Sequence, residues 1–383
     1  MATLSQPFTT EAAKASQRFY RPELDALRFF AFLCVFLTHY RRPDPDVHGA
    51  AWALQTASFV RLLQDCGAFG MLVFFLLSSY LITELLLRER ERTGTVHLKA
   101  FYARRVLRIW PLYLFALAAC AVIGRFVPEY WLGYGRFLAM LLFAGNWYVG
   151  RHGYGTGPYG PLWSISLEEQ FYLLWPTVAK WMGPRSILLA SVAIIPISLG
   201  TLAYRTAHGT VMQPALFTNS FVQFLLFALG AILALVLKGQ ALRIRPAGRV
   251  LLLSGGLGLW LLAEGRFRVI WAQHISATAM AAGFLLAALG CVLVFLSFSG
   301  ASPRLFPRFL VYSGKISYGL YVYHMGAMLL LAHLAPKLPH DYFVRWALIL
   351  ALTIAMASLS YRYLESPFLR LKERFAFVKS RPA

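Results

Sequence analysis

Apolar runs of about twenty residues recur along the whole chain, and each must be kept out of water. A helix of that length spans the hydrocarbon core of a bilayer. In lipid, only helices and closed barrels satisfy their own backbone hydrogen bonds. The runs cover 24–40, 68–87, 109–127, 162–181, 187–204, 217–237, 250–263, 275–298, 316–335 and 343–361. Of the 383 residues 58% are hydrophobic and 14% charged, and the mean hydropathy is +0.58. An ordinary soluble domain is roughly a quarter charged. The chain therefore reads as an all-α integral membrane protein.

The net charge of +21 raises the question of nucleic acid. The basic residues instead gather in alternate loops, as expected where Lys and Arg mark the cytoplasmic side, so no nucleic-acid partner is expected. The clearest basic loops are 88–108, 238–249 and 304–315, with a basic tail after Arg362. Segment 137–149 is too short to cross and reads as re-entrant. Placing the basic loops inside predicts about ten transmembrane helices, one re-entrant segment and both termini in the cytoplasm. The loops after the first helix, before Trp163 and around His340 then lie outside. Residues 1–20 read as a cytoplasmic segment without a cleavable signal, 21–370 as the transmembrane domain, and 371–383 as a cytoplasmic tail. The four cysteines, Cys34, Cys66, Cys120 and Cys291, are scattered and show neither a disulfide framework nor a metal spacing.

Several groups of residues carry chemistry. Arg28 and His39 are eleven residues apart in LDALRFFAFLCVFLTHY, so on a helix they share a face, ~16 Å apart along the axis. Ionisable groups within a span face a partner or a water-filled cavity, unless both snorkel to the interfaces. His39 suits a general base or nucleophile near neutral pH. Arg105 and Arg108 in RRVLRIWP share a helical face and suit phosphate recognition; an ordinary basic flank is the alternative. Glu168 and Glu169 in GPLWSISLEEQFYLLWP lie about one turn into a span. They pair with Arg28 or His39, or they cap the helix N-terminus. Ser78 in FFLLSSYLIT and Ser164 are candidate cavity-lining hydroxyls, with helix packing as the alternative for Ser78. In SGKISYGLYVYHM, His324 lies about eight residues into its span among Tyr318, Tyr321 and Tyr323. Tyr323 and His324 are candidate cavity-lining residues; the alternative is a core histidine satisfied by a tyrosine. Trp131, Tyr134 and Trp147, among other external aromatics, suit interfacial anchors or sugar stacking.

In their order and spacing these segments resemble the acyltransferase 3 family of polytopic membrane acyltransferases, over roughly residues 20–370. The family's LDxLRxxA…H is matched with Arg28 and His39. Its FFxLSGFLIT is FFLLSSYLIT here, and its FxxRRxxRIxP is FYARRVLRIWP. LWSLSVEEQFY is LWSISLEEQFY, SYGLYxxH is SYGLYVYH, and the terminal YRxxExP is YRYLESP. One departure is Ser79 in place of the family's glycine.

The resemblance implies an O-acyltransferase of the cytoplasmic (inner) membrane. It would use acyl-CoA, with acetyl-CoA as the default donor substrate, and no permanently bound cofactor or metal. The acceptor implied is a hydroxyl of a glycan, such as a surface or exported polysaccharide or a lipid-linked sugar. On that basis Arg105 and Arg108 hold the CoA phosphates, and His39 deprotonates the acceptor or carries the acyl group. Arg28 stabilises developing charge, and Glu168 orients His39. Some relatives carry an additional extracytoplasmic hydrolase-like domain. The chain ends about 18 residues after Glu365, so the membrane domain is expected to act alone or with a separate partner. The resemblance also admits a cytoplasmic small-molecule acceptor such as a macrolide. The buried charges alone would also suit a proton-coupled transporter. Oligomeric state stays open.

Overall fold

The computed structural model describes residues 20–40, 51–240, 242–271, 274–334 and 342–378. Expectations for residues 1–19, for the loop around His340 and for 379–383 lie outside the described residues. Among the described residues there are helices and turns and no strand. The helices are α1 Pro22–His39, α2 Ala51–Cys66, α3 Phe69–Thr93, α4 Leu98–Phe126 and α5 Tyr134–Leu141. Next come α6 Gly145–His152, α7 Trp163–Trp181, α8 Pro184–Ala207, α9 Ser220–Leu237 and α10 Pro246–Phe267. The last are α11 Ala277–Phe298, α12 Arg308–Lys315, α13 Ser317–Leu334, α14 Tyr342–Ser360 and α15 Ser366–Lys372.

Among the described residues, seven helical stretches are long and apolar enough to cross a membrane. They fall in α3, α4, α8, α9, α10, α11 and the stretch that begins with α14. Three further helices, α1, α7 and α13, are 18, 19 and 18 residues long. Polar residues set these three apart. α1 holds Glu23, Asp25 and Arg28, α7 holds Glu168, Glu169 and Lys180, and α13 holds three tyrosines and two histidines. They are the helices that meet at the site described below.

Three boundaries differ from the sequence expectation. The basic stretch 88–108 is mostly helix, because charged residues at a membrane surface extend a helix as well as end it. Only 94–97 connect α3 to α4, and Gly94 takes a left-handed φ of 76° at the end of α3. Segment 137–149 forms parts of α5 and α6, eight residues each. Each rises only about 12 Å, so neither spans. The last span runs on through Tyr361–Glu365 into α15.

Lipid supplies no hydrophobic drive between helices, so close packing and interhelical hydrogen bonds hold them together. In the most apolar stretch of the α3 span 72% of residues are buried, against 22% for α8 and 17% for α10. α3 is therefore central, and α8 and α10 face outward. A Cβ on Gly230 of α9 would run into the backbone of α3 at Leu76 and lie 2.9 Å from the Ser79 side chain. The close approach of α3 and α9 beside Ser79 is thus made by a glycine of α9. The Ser79 hydroxyl is spent on the Phe227 carbonyl, 2.5 Å away. α1 packs between α3 on one side and α12 and α13 on the other. Phe32 and Phe36 join Leu320 and Ile349 in a second apolar cluster.

Candidate active site

A cavity of about 200 Å³ opens between α1, α3, α4, α7 and α13. Its walls include Arg28, Ser78, Arg105, Arg108, Ser164 and Glu168, so six of the sequence-predicted site residues converge on one space. Tyr172, Tyr318 and Tyr321 complete the polar lining. Tyr323 and His324 are not among the lining residues. Tyr323 is half-buried and packs in the second apolar cluster.

Charge in the cavity is only partly compensated. The Arg28 guanidinium bonds the Asp25 carboxylate one turn back on α1 at 2.6 Å, and Asp25 is 1% exposed. That pairing makes a charged residue tolerable on a buried helix. Arg105 is held differently. Its guanidinium lies over the rings of Tyr172, at 5.2 Å, and Phe101, at 5.6 Å. These are cation–π contacts. Its Nε is buried with no hydrogen-bond partner among the described residues. A buried donor left unpaired costs about 1–3 kcal/mol, more for a charged group, so this end of the cavity is suited to an anion. Arg104 is fully engaged, with Glu89 at 2.7 Å and the Phe375 carbonyl at 2.7 Å. That second bond draws the end of the chain to the cavity mouth, where Lys372, Glu373, Ala376 and Val378 join the lining.

The EEQFY segment of α7 divides its labour by helical geometry, since successive residues turn by about 100°. The Glu168 Oε2 accepts from the Tyr172 hydroxyl at 3.0 Å. Tyr172 in turn accepts from the Ser78 hydroxyl of α3. Glu169 turns toward α4 and accepts from Trp110 Nε1 at 3.3 Å. Gln170 donates to the Phe143 carbonyl at 2.9 Å and to Asn146 Oδ1 at 2.8 Å, locking the broken α5–α6 segment against α7. Trp175 donates to Thr83 at 2.8 Å and pins α7 to α3.

His39 and His324 meet outside the cavity lining. His324 Nε2 is 3.2 Å from His39 Nδ1. The His324 ring is fully buried among Phe32, Phe36 and Tyr321. Its Nδ1 is 2.6 Å from the Tyr321 carbonyl. The Tyr321 hydroxyl donates to the Pro161 carbonyl at 2.8 Å and accepts from Ser164 at 2.8 Å. Tyr321 thus joins the two places: it lines the cavity, and its ring lies 5.6 Å from that of His324. The end of α1 is fixed by Thr38, which donates to the Gln64 carbonyl at 2.6 Å, and by Gln64, which donates to the Tyr40 carbonyl at 3.2 Å.

Sequence reasoning assigned the orientation of His39 to Glu168. In the structure Glu168 is bonded to Tyr172, and the cross-helix bond to the His39 ring comes from His324. Sequence reasoning missed Asp25 and Tyr172 as site residues and named Tyr321 only as a neighbour of His324. Each had a usable signal in its helical spacing, Asp25 to Arg28 and Tyr321 to His324 at i,i+3, and Glu168 to Tyr172 at i,i+4.

The acyltransferase domain of the acyltransferase 3 family matches residues 21–362. The chain is 28% identical to the O-acetyltransferase OatA of Staphylococcus aureus strain NCTC 8325, over 94% of this chain and 59% of that protein. It is 25% identical to a putative O-acetyltransferase of Staphylococcus aureus strain MSSA476, over 95% of this chain and 59% of that protein. The chain therefore spans about 59% of the length of these curated relatives. No solved structure gives a significant match.

Proposed function

We propose, because this chain belongs to the acyltransferase 3 family, that it is a membrane O-acyltransferase carrying an acyl group from acyl-CoA to a hydroxyl. The observation that carries the reading is Arg105, a half-buried side chain at the cavity wall whose buried Nε has no partner among the described residues. With Arg108 it offers a forked set of donors to the phosphates of CoA. The thioester arm then extends along the cavity toward Ser164 and Tyr321. Acetyl is the proposed acyl group, in line with the names of the relatives.

The reaction needs little beyond positioning, since a thioester is already activated. His39 removes the proton of the acceptor hydroxyl. The oxygen attacks the thioester carbonyl, a C–O bond forms, and the C–S bond breaks. The proton passes from His39 to the departing thiolate, so the histidine ends neutral. Arg28, held by Asp25, lies about 16 Å from His39 along α1 and adds positive charge to the cavity on the side of the donor's phosphates. Glu168, Tyr172 and Ser78 order the wall opposite.

α1 begins beside the arginine-lined mouth and ends at His39, about 25 Å away along its axis. This suits a donor entering from the cytoplasm and an acceptor approaching from the other face of the inner membrane, with both termini cytoplasmic. A glycan hydroxyl is the proposed acceptor.

The test is purified protein with radiolabelled acetyl-CoA and candidate acceptors, beside His39→Ala. Turnover in wild type that vanishes in His39→Ala supports the reading. Absence of binding and turnover with acetyl-CoA and with longer acyl-CoAs refutes it. Label transferred to a small metabolite instead of a sugar would move the acceptor to the cytoplasmic side.

A further inference from the structure

We infer that His324 is a positioning residue that holds His39 in one tautomer, with the proton on Nδ1 and the lone pair on Nε2. The inference deepens the acyltransferase reading and rests on it only for its kinetic arm. A backbone carbonyl can only accept, so the His324 Nδ1 that lies 2.6 Å from the Tyr321 carbonyl carries that ring's proton. A neutral imidazole has one N–H and one acceptor nitrogen. His324 Nε2 is therefore the acceptor. It lies 3.2 Å from His39 Nδ1, which must then be the donor.

The neutral form of His324 is the one its surroundings favour. The ring is fully buried, and the groups it bonds are a carbonyl and another imidazole. Neither is an anion, and an unpaired charge in such a place is expensive. His324 fixes the His39 ring from α13, so the direction of Nε2 depends on the register of two helices.

The consequence is chemical. Nε2 of His39 is the atom that takes the acceptor proton. When it does, the Nδ1–H bond to His324 persists and the new positive charge is shared along a neutral acceptor to the Tyr321 carbonyl. Among the described residues no carboxylate bonds the far side of the pair, so the imidazolium is not stabilised into a resting state and yields its proton to the thiolate.

The experiment compares the full chain with His324→Leu and His324→Gln. A glutamine amide offers an oxygen to His39 Nδ1 and an N–H to the Tyr321 carbonyl; leucine offers neither and fills the apolar pocket. With acetyl-CoA, His324→Leu should lower kcat at least five-fold with KM for the donor within two-fold, and His324→Gln should recover activity above the leucine variant. A smaller loss in His324→Leu, a loss confined to KM, or glutamine no better than leucine overturns the proposal. Magic-angle-spinning 15N spectra of histidine-labelled protein in bilayers read the tautomer without any turnover. The His39 signals, assigned by their loss in His39→Ala, should show a protonated Nδ1 and a bare Nε2, and His324→Leu should mix the two tautomers. A wild-type His39 protonated on Nε2 overturns the proposal whatever the kinetics. A wild type that turns over no acyl-CoA defeats the acyltransferase reading, and the spectra then decide the tautomer alone.

Discussion

His324 Nε2 lies 3.2 Å from His39 Nδ1, joining two residues 285 positions apart. Both belong to helices with a fixed end nearby. Thr38 ties the end of α1 to the Gln64 carbonyl, and Tyr321 ties α13 to the start of α7 through Pro161 and Ser164. The ring pair is therefore held by the bundle rather than by either helix alone.

His39→Ala should reduce acyl transfer by about 10²–10⁴-fold, the usual weight of a positioned general base. Donor binding should survive, because the arginines that serve it lie on α4. Acid-quenched protein after brief exposure to labelled acetyl-CoA distinguishes the routes. Label retained by wild type and absent from the variant indicates an acyl-histidine intermediate, and label never retained indicates direct transfer.

Arg105→Gln should raise KM for acyl-CoA by about 10–100-fold, since a hydrogen bond to a charged group is worth about 1.5–3 kcal/mol. Arg105→Lys should recover only part of this, because an ammonium lacks the fork and stacks poorly on Tyr172 and Phe101. Titration of the purified variants with CoA alone checks the effect apart from chemistry. Equal CoA affinity in wild type and Arg105→Gln would remove the donor site from this end of the cavity.

Tyr172→Phe removes the donor to Glu168 and the acceptor for Ser78 in one step. The expected cost is about 1–3 kcal/mol of stability, read as a lowered thermal midpoint in detergent. The double variant Tyr172→Phe with Glu168→Gln should be less destabilised than the sum of its parts, because the two share one bond. Strict additivity would show that the bond contributes little.

Tyr321→Ala should open the cavity toward the histidine pair and admit water to the thioester. Acceptor-independent release of CoA should then rise relative to transfer. Tyr321→Phe keeps the ring and should keep the coupling, though it loses the bonds to Ser164 and Pro161. Measuring free CoA against acylated acceptor gives the ratio, and an unchanged ratio in Tyr321→Ala would mean that the ring is not the barrier.

Gly230→Leu places a side chain against the backbone at Leu76 and Tyr80. Overpacking at such a contact costs about 1–3 kcal/mol or more. The variant should lose thermal stability, while Ser79→Ala should cost about 1 kcal/mol, the worth of one interhelical hydrogen bond. Comparable midpoints for Gly230→Leu and wild type would show that α3 and α9 separate without penalty.

The spans were legible in sequence because their signal is local. A run of twenty apolar residues is a helix in lipid whatever surrounds it, and the short 137–149 stretch announced by its length that it does not cross. The residues that line the cavity were legible for the same reason. An arginine or glutamate inside an apolar run has few tolerable directions to face, so Arg28 and Glu168 marked a polar space, whereas Arg105 and Arg108, in the basic stretch before a run, were joined to it by the family resemblance.

What the residues alone left undecided was pairing. Asp25 and His39 both lay within reach of helical logic as partners for Arg28 or Glu168, and hydropathy does not rank them. Only the packing of α1, α7 and α13 put Arg28 on Asp25, Glu168 on Tyr172 and His39 on His324. Hydrogen bonds form over about 3 Å, whereas the position of one helix beside another is set by contacts contributed from the whole chain, such as Gly230 against α3. The sequence by itself determined that the chain enters the membrane and carries its charges to a common cavity. The tertiary structure decided which of those charges and rings touch, because that is a matter of ångströms between segments hundreds of residues apart.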